Sequence, residues 1–305
     1  MSGEPALQRG LLRLPAGSER VLDADEEVFI LYSRSTTEPR GLGYVDNRSD
    51  ILTLSFTLKP GFITKGKRKQ LAAQEKTVEI QMAQDKTALR SRSGDTGSVV
   101  WQASIDFAQS ILQQHHAKSP DALFDLERLP SSRILELGSG TGLLSIALSP
   151  LVAHFTATDI PELLPLMRKN LALNFPAERN VSVNELNWQT LASLPPARRA
   201  QLFTVSPDAP YDIVLIVDCI YHPSLLPSLL ATIDYVATTP TTAVVVAMEL
   251  RAEDVTREFL EGWLALDSGR WEVWRVANDS DNGILAHDKP YVVWVGWKGQ
   301  APTLD

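Results

Sequence analysis

The residues with the most evident chemistry form a glycine-rich turn between an apolar strand and an apolar helix. Residues 133–144 read Arg-Ile-Leu-Glu-Leu-Gly-Ser-Gly-Thr-Gly-Leu-Leu, which places glycine at Gly138, Gly140 and Gly142. Glycine at these positions lets the backbone turn tightly and lets a ligand lie against the main chain. The next strand-like run ends at Asp159, whose carboxylate suits a grip on ribose hydroxyls beside the same crevice. The pattern therefore indicates a site for a nucleoside cofactor.

The spacing of these glycines discriminates between nucleoside cofactors. A dinucleotide site has the pattern Gly-x-Gly-x-x-Gly, and Leu143 stands where its third glycine is required. A P-loop is excluded because no Gly-Lys-Ser/Thr follows the turn. The pattern Glu136-x-Gly138-x-Gly140-x-Gly142 instead resembles the first motif of class I methyltransferases. That resemblance implies S-adenosyl-L-methionine as the cofactor, with Glu136 steadying the glycine loop. A tight turn without a ligand is the alternative, as is a solvated strand end at Glu136.

The amino-acid composition is typical of a globular protein with a hydrophobic core. The chain has 305 residues, of which 44% are hydrophobic and 22% charged, as expected for one large core with an appended element. No apolar run approaches the ~18 residues that a membrane helix requires, and the N-terminus has no signal-peptide pattern. The single cysteine, Cys219, cannot form an internal disulfide, so we expect a cytoplasmic protein, with the nucleus as the alternative compartment.

The formal net charge of -8 is unevenly distributed. Basic residues outnumber acidic ones within residues 59–92, so the rest of the chain is more acidic still. An acidic body favours a basic protein partner and disfavours nucleic acid, which leaves residues 59–92 as the one stretch for direct nucleic-acid binding. The Lys-Gly-Lys-Arg-Lys run at 65–69 leaves two interpretations open, a localisation or nucleic-acid signal and a solvated turn between strands.

The first 95 residues predict a β-rich extension. Apolar residues alternate with polar ones in three runs, and this period of two is typical of half-buried antiparallel strands. The runs contain Val28, Ile30 and Tyr32; Leu52, Leu54, Phe56 and Leu58; and Val78, Ile80 and Met82. Residues 1–26 are predicted to be polar and irregular. We therefore expect an extension over 1–95 and a cofactor-binding domain over 96–305.

Residues 96–305 predict an α/β fold. After a helix at 101–114, strands and helices alternate, which implies a doubly wound, Rossmann-like parallel sheet of seven strands. The last two strands have no helix between them and should pair as a hairpin, with the last strand antiparallel. The predicted elements are a strand at 133–137, a helix at 142–149, a strand at 154–158, a helix at 161–173, strands at 181–186 and 211–217, a helix at 223–236, a strand at 242–248, a helix at 252–266, and strands at 271–276 and 291–297. This layout is similar to that of the class I methyltransferases.

A second motif lies at a strand end. Ligands of such sheets bind beyond the carboxyl ends of the strands, where Gly138, Asp159, Asn187 and Asp218 are expected to meet. Amino methyltransferases of nucleic acids have Asn/Asp-Pro-Pro-Tyr/Phe here, whereas this chain has Asp218-Cys-Ile-Tyr221 without the prolines. The Asp-x-x-Tyr form resembles the seven-stranded protein-lysine methyltransferases that act on non-histone proteins.

Other segments extend this resemblance. Thr96-Gly-Ser-Val-Val-Trp101, Glu185-Leu-Asn-Trp188 and Met248-Glu-Leu-Arg251 are similar to segments of the same group. The segment Gly41-Leu-Gly-Tyr-Val-Asp46 and the strand that follows it resemble the fungal lysine methyltransferases of large-subunit ribosomal proteins. These resemblances imply a protein-lysine N-methyltransferase whose substrate is a basic protein of the large ribosomal subunit.

The resemblance also implies roles for individual residues. Asp218 holds the incoming ammonium by a hydrogen bond and Tyr221 lines the channel, while water removes the proton. Trp188 flanks the adenine, and Trp101 lies near the cofactor. Each residue has a simpler interpretation as well: Asp218 as a helix cap before Pro223, and the three aromatic residues as packing. Glu249 and Arg251 are expected to form at most a local ion pair.

The sequence excludes a metal enzyme and a serine hydrolase, and it leaves two alternative functions open. The five histidines show no metal-ligand spacing with cysteine or carboxylate, and no Gly-x-Ser-x-Gly elbow is present. A nucleic-acid or small-molecule methyltransferase on the same fold remains open, as does a cofactor-binding assembly factor without turnover. A monomer is expected, because the hairpin finishes one edge of the sheet.

Overall fold

The computed structural model describes residues 7–34, 43–46, 49–65, 68–71, 74–85, 96–177, 179–277 and 289–299. Part of the basic stretch 59–92 and part of the segment 41–46 lie outside these residues. None of the described helices is long and apolar enough to cross a lipid bilayer.

A mostly parallel sheet forms the centre of the molecule. Its strand order is β10-β9-β8-β11-β12-β14-β13-β3. The strands are β3 (Glu19–Val21), β8 (Arg133–Leu137), β9 (His154–Asp159), β10 (Val181–Glu185), β11 (Ile213–Val217), β12 (Ala243–Glu249), β13 (Trp271–Arg275) and β14 (Tyr291–Lys298). β14 runs antiparallel to both β12 and β13, which confirms the predicted terminal hairpin. The predicted seven strands are all present, and β3 adds an eighth by pairing antiparallel with β13.

Helices cover both faces of this sheet. They are α1 (Ala24–Arg34), α2 (Gln102–Ala117), α3 (Leu143–Leu148), α4 (Leu164–Asn174), α5 (Trp188–Ser193), α6 (Pro196–Leu202), α7 (Leu226–Val236) and α8 (Glu253–Gly269), the last interrupted by non-helical backbone at Leu266–Ser268. Neighbouring residues of one strand point to opposite faces, so Val214 and Leu215 of β11 belong to two separate core clusters. This is why the central strands are apolar without interruption. The short helices α5 and α6 were not predicted.

The prediction of a strand at Val28, Ile30 and Tyr32 is wrong, because these residues lie in helix α1. The carboxylate of Asp23 accepts a hydrogen bond from the backbone N–H of Glu26 at 2.9 Å, which caps the first turn. Val28 is fully buried and Tyr32 is half-buried, so helical spacing also brings these apolar residues to one side. A short amphipathic helix and a strand are hard to separate in such a run.

The other two predicted strand runs are confirmed as an antiparallel pair. The strands β4 (Ile51–Leu58) and β7 (Lys76–Ala83) pair along their full length, and β5 (Phe62–Lys65) and β6 (Arg68–Leu71) form a hairpin between them. Two strands that precede β3 pair with each other, β1 (Gln8–Arg9) and β2 (Leu12–Arg13). Residues 7–26 are therefore less irregular than predicted.

One buried side chain joins this pair to the cofactor turn. The amide of Asn170 in α4 accepts a hydrogen bond from the N–H of Ala83 at 2.7 Å and donates to the carbonyl oxygen of Ala83 at 3.1 Å. The same amide donates to the carbonyl oxygen of Thr141, in the glycine turn, at 2.9 Å. A fully buried amide with three hydrogen bonds fixes both segments relative to each other.

Candidate cofactor and acceptor site

A cavity of about 740 Å³ opens at the carboxyl ends of β8, β9 and β11. Its wall contains nearly all of the residues predicted to form the site: Trp101, Glu136, Gly138, Gly140, Asp159, Trp188, Asp218 and Tyr221. Gly142 is absent from the described wall; a Cβ there would lie 3.2 Å from the side chain of Met167. Gly142 therefore lies at the packing interface between the turn and α4.

The glycine turn approaches the cavity with its bare backbone. Gly138 and Gly140 have φ of 73° and 54°, values that favour glycine. A Cβ on Gly138 would lie 2.7 Å from the sulfur of Cys219 and 3.1 Å from the ring of Trp188. A Cβ on Gly140 would lie 2.9 Å from the carbonyl oxygen of Gly97. Side chains at either position would therefore displace the walls of the cavity.

Asp159, at the end of β9, is oriented by two backbone donors. Its carboxylate accepts hydrogen bonds from the N–H of Gly140 at 2.7 Å and of Ile160 at 2.8 Å. An ionised carboxylate is an acceptor-only group, so Asp159 suits the hydroxyl donors of a ligand in the cavity. The position of Asp159 in the sequence and the geometry of its carboxylate both suit hydrogen bonding to the ribose hydroxyls of a nucleoside cofactor.

Glu136 presents a buried carboxyl to the cavity. Its Oε2 atom is buried and has no hydrogen-bond partner among the described residues. Burial raises the pKa of Glu136 to about 8; a hydrogen bond from Ser139 opposes that rise and the charge of Asp159 adds to it. A buried acceptor without a partner is costly. The site therefore suits a ligand that brings a donor or a positive charge to this point.

The titratable residues of the cavity wall are mostly acidic. Glu136, Asp159, Glu162 and Asp218 line it, and no lysine or arginine occurs among the described residues of its wall. S-adenosyl-L-methionine carries a sulfonium and an ammonium group, and both are stabilised by nearby carboxylates. The described residues contain no group of three or more histidine, cysteine, aspartate or glutamate side chains that could hold a metal ion.

Two tryptophans form parts of the wall. Trp188 is the first residue of α5 and packs against Gly138, and Asn187 caps that helix by accepting a hydrogen bond from the N–H of Thr190 at 3.0 Å. Trp101 precedes α2, and its indole N–H donates to the carbonyl oxygen of Thr96 at 2.8 Å. Their flat faces suit an adenine ring and a methionine chain.

Asp218 follows β11 in a left-handed conformation with φ of 58°, which is uncommon for a residue other than glycine. Its side chain does not cap the following turn, which is capped by His222. Its carboxylate instead accepts two hydrogen bonds from Arg251, at 2.8 and 2.7 Å. Arg251 also pairs with Glu249 at 2.7 Å, as predicted. The partnership of Arg251 with Asp218 was not predicted.

The remaining residues of the Asp-x-x-Tyr segment differ in exposure. Tyr221 lies in the cavity wall with 39% of its surface exposed. Cys219 is buried, and burial raises the pKa of its thiol well above the ordinary value. A thiol with this environment stays protonated at neutral pH, as expected for a structural residue.

Comparison with known proteins identifies the family. A family model described as lysine methyltransferase matches residues 80–263 of this chain. The chain belongs to the lysine methyltransferase family. Membership implies S-adenosyl-L-methionine as the cofactor, and the buried Oε2 atom of Glu136, the bare glycine turn and the acidic residues of the wall fit that molecule.

Individual relatives agree with the family assignment in part. The chain is 31% identical over 162 residues to the protein-lysine methyltransferase METTL21E of Bos taurus, a match covering 52% of this chain and 49% of the relative. It is 30% identical over 129 residues to EEF1A lysine methyltransferase 3 of Xenopus tropicalis, covering 42% of this chain and 52% of the relative. It is also 30% identical over 241 residues to the diaminohydroxyphosphoribosylamino-pyrimidine deaminase of Schizosaccharomyces pombe, covering 78% of this chain and 50% of the relative. The chain thus spans about half the length of these curated relatives.

Proposed function

We propose that this chain is a protein-lysine N-methyltransferase that transfers a methyl group from S-adenosyl-L-methionine to a lysine of a basic, non-histone protein. The observation that carries the proposal is the position of Asp218, which lies in the wall of the cofactor cavity together with Tyr221. A lysine side chain entering there meets an acceptor for its N–H and an aromatic face for its cationic or methylated form.

The cofactor, when bound, supplies an electrophilic methyl group on a sulfonium. Asp159 and the backbone of Gly138 and Gly140 would hold its nucleoside portion, and Trp188 would flank the adenine. Glu136 would support the turn and offer an acceptor for a donor or positive charge of the cofactor. These residues provide orientation, which is the main contribution that a protein makes to a transfer of this kind.

The substrate amine must attack without its proton. A free lysine has a pKa near ~10.4, and a desolvated channel beside a positive sulfonium favours the neutral amine. Asp218 accepts a hydrogen bond from that amine and so directs its lone pair at the methyl group. The ammonium proton would pass to water, leaving a neutral amine that could accept the methyl group supplied by the bound cofactor, whose sulfur would leave as a neutral thioether.

We also propose the finer substrate class, a basic protein of the large ribosomal subunit. The net charge of -8 favours a basic partner. The relatives named as protein-lysine methyltransferases support a protein acceptor, and the name of one of them specifies EEF1A. A cytoplasmic or nuclear monomer is consistent with this assignment and belongs to the same proposal.

Two other activities fit the chain less well. A nucleic-acid amino methyltransferase is disfavoured by the missing Pro-Pro after Asp218 and by the absence of lysine and arginine from the described cavity wall. The deaminase name of the fission-yeast relative does not transfer, because zinc-dependent nucleobase deaminases hold their metal through a Cys-x-x-Cys pair. This chain has one cysteine, Cys219.

The proposal is tested by labelling. Purified protein and radiolabelled S-adenosyl-L-methionine are incubated with extract from cells that lack the protein, with and without ribonuclease. The proposal requires a ribonuclease-resistant protein band that Asp218→Ala abolishes. Mass spectrometry of that band then identifies the protein and the lysine. Asp208→Ala is the matched control, because Asp208 is an exposed aspartate that lies outside the cavity wall.

Each alternative has its own result. Label in RNA assigns the chain to the nucleic-acid methyltransferases. No label, with cofactor binding retained by calorimetry, supports the assembly factor without turnover. If Asp218→Ala labels the protein at the normal rate, the role assigned to Asp218 is wrong even if the chain is a protein methyltransferase.

A further inference from the structure

Asp218 is not an isolated carboxylate, because one guanidinium group occupies most of its acceptor positions. Arg251 donates from Nη1 to Oδ1 and from Nη2 to Oδ2, and the backbone N–H of Glu249 donates to Oδ1 at 3.3 Å. The Asp218 side chain is 3% exposed and that of Arg251 is 28% exposed. With about four lone-pair positions on a carboxylate, three donors leave room for a single further hydrogen bond.

The guanidinium group is held from three other sides. Its Nη2 pairs with Glu249, and its carbon lies 5.5 Å from the centre of the Trp101 ring. A Cβ on Gly43 would lie 2.5 Å from Nη2, so the N-terminal segment is packed directly over it. The carbonyl oxygen of Gly43 accepts a hydrogen bond from the N–H of Gln102 at 2.9 Å, which ties this segment to the start of α2.

Arg251 is charged throughout the range in which lysine titrates. Burial alone would lower its pKa, but the hydrogen bonds and charges of Asp218 and Glu249 raise it above the ordinary value. A carboxylate without such a partner favours the ammonium form of a nearby lysine, and ammonium has no lone pair for attack. A carboxylate paired with a cation remains a hydrogen-bond acceptor while much of its charge is offset.

We propose that Arg251 is a positioning residue that promotes loss of the proton from the bound substrate lysine by offsetting the charge of Asp218 while leaving it one acceptor position. This inference rests on the proposed lysine methylation and deepens it. Arg251 is not a residue of the cavity wall and does not contact the substrate amine in this arrangement. It acts through Asp218, and its position is fixed by contacts with Glu249, Trp101 and Gly43.

Other titratable groups face the same corner of the cavity. They are Tyr44 of the N-terminal segment, Asp106 of α2, Glu136 of β8, Asp159 of β9, Glu162 after β9, Cys219, Tyr221 and His222 after β11, Glu249 of β12, Lys289 before β14, and Tyr291, the first residue of β14. Asp106 pairs with Lys289 at 2.7 Å and accepts a hydrogen bond from Tyr291 at 2.9 Å. Burial also raises the pKa of Tyr291 above the ordinary value. Because the pKa of Glu136 is about 8, Glu136 also contributes to the pH profile of the wild type. The effect of Arg251 is therefore measured as the difference in midpoint between each variant and the wild type.

The test is the pH dependence of kcat at saturating cofactor, with the protein labelled in the extract experiment as methyl acceptor. Arg251→Gln removes a unit charge about 5 Å from the amine, which at an effective dielectric of about 20 corresponds to an alkaline shift of about two to two and a half pH units. At neutral pH the rate should fall by about 100- to 300-fold and recover as the pH rises. Arg251→Lys retains the charge without the bidentate geometry, so its midpoint should stay closer to that of the wild type.

Two further variants complete the test. Glu249→Gln leaves Arg251 in place and removes a negative charge, so its midpoint should move to lower pH, opposite to Arg251→Gln. Arg257→Gln is the matched control, because Arg257 lies on α8, pairs with Asp25 at 2.7 Å and lies outside the cavity wall, and its midpoint should match the wild type.

An Arg251→Gln profile with the wild-type midpoint at a uniformly lower rate overturns the inference and leaves the proposed function intact. Loss of activity at every pH with cofactor binding retained also overturns it, because a charge effect must be relieved at high pH. Should Arg251→Gln fail to fold, Glu249→Gln decides, and an unchanged midpoint in that variant contradicts the inference. If the wild-type enzyme transfers no label to any protein in the extract, both the proposed function and this inference are contradicted.

Discussion

The backbone of Gly140 lies directly against that of Gly97, so that a Cβ on Gly140 would stand 2.9 Å from the carbonyl oxygen of Gly97. Gly97 is itself confined, since a Cβ there would lie 2.5 Å from the side chain of Leu163. The cofactor turn and the segment that leads into α2 therefore meet as two bare backbones. Close approach, in addition to turn geometry, explains the need for glycine at 140.

We expect Gly140→Ala to abolish detectable cofactor binding while the protein remains folded. The added methyl group pushes the turn away from Gly97 and so disturbs the cavity wall. Gly269→Ala is the control, because Gly269 also has a positive φ, of 78°, but a Cβ there meets nothing closer than 3.8 Å. Both variants carry a backbone cost of roughly 1–2 kcal/mol, so a difference between them in calorimetric cofactor titration reports the close approach. Equal cofactor affinities in the two variants would contradict this explanation.

The buried carboxyl of Glu136 should make the stability of the cofactor-free protein depend on pH. Its pKa rises from 4.5 to about 8 on folding, so the folded state binds more protons than the unfolded state between these values. Stability therefore falls as the pH rises through this window, by up to about 1.4 kcal/mol per pH unit, and levels off above it.

Glu136→Gln removes this titration and should be increasingly more stable than the wild type as the pH rises from 4.5 towards 8. Urea unfolding of both proteins at a series of pH values measures the difference. Parallel stability curves would show that Glu136 is not the responsible group.

The N-terminal helix is joined to the sheet by a buried ion pair. Glu27 of α1 accepts hydrogen bonds from Arg275 of β13 at 2.5 Å and from the indole N–H of Trp294 in β14 at 2.8 Å. Glu27→Ala leaves both donors without this acceptor, and we expect a loss of about 3 kcal/mol in the free energy of unfolding. Glu26→Ala changes an exposed neighbour and should alter stability by less than about 0.5 kcal/mol. Similar losses in both variants, measured by chemical denaturation, would argue against the ion pair as the cause.

The parts of the fold that sequence could predict are those encoded locally. The glycine turn at 138–142, the apolar strand before it and the acidic residue at Asp159 lie within one strand–helix–strand unit, and their types and spacing are sufficient to place them together. The continuous apolar run of β11 likewise indicates a strand covered on both faces. Such signals need no knowledge of distant contacts.

The parts that sequence missed depend on distant contacts. The eighth strand, β3, is only three residues long and forms because β13 offers an open edge. Helix α1 alternates like a strand in part of its length, and packing of Val28 decides the outcome. Arg251 was recognised as part of a motif, but its partner Asp218 lies on another strand end, and the order of β11 and β12 in the sheet brings them together.

Asp159 should separate cofactor binding from methyl transfer. Asp159→Ala removes the acceptor of two backbone N–H groups, those of Gly140 and Ile160, along with the proposed grip on the ribose. Loss of such charge-assisted hydrogen bonds corresponds to about a 10- to 100-fold weaker affinity for S-adenosyl-L-methionine. Because Asp159 does not contact the acceptor amine in the proposed arrangement, kcat at saturating cofactor should change much less. Asp218→Ala should do the opposite and lose turnover at nearly unchanged cofactor affinity. Calorimetry and initial rates on both variants measure the two effects, and a Kd for Asp159→Ala equal to that of the wild type would place the ribose elsewhere in the cavity.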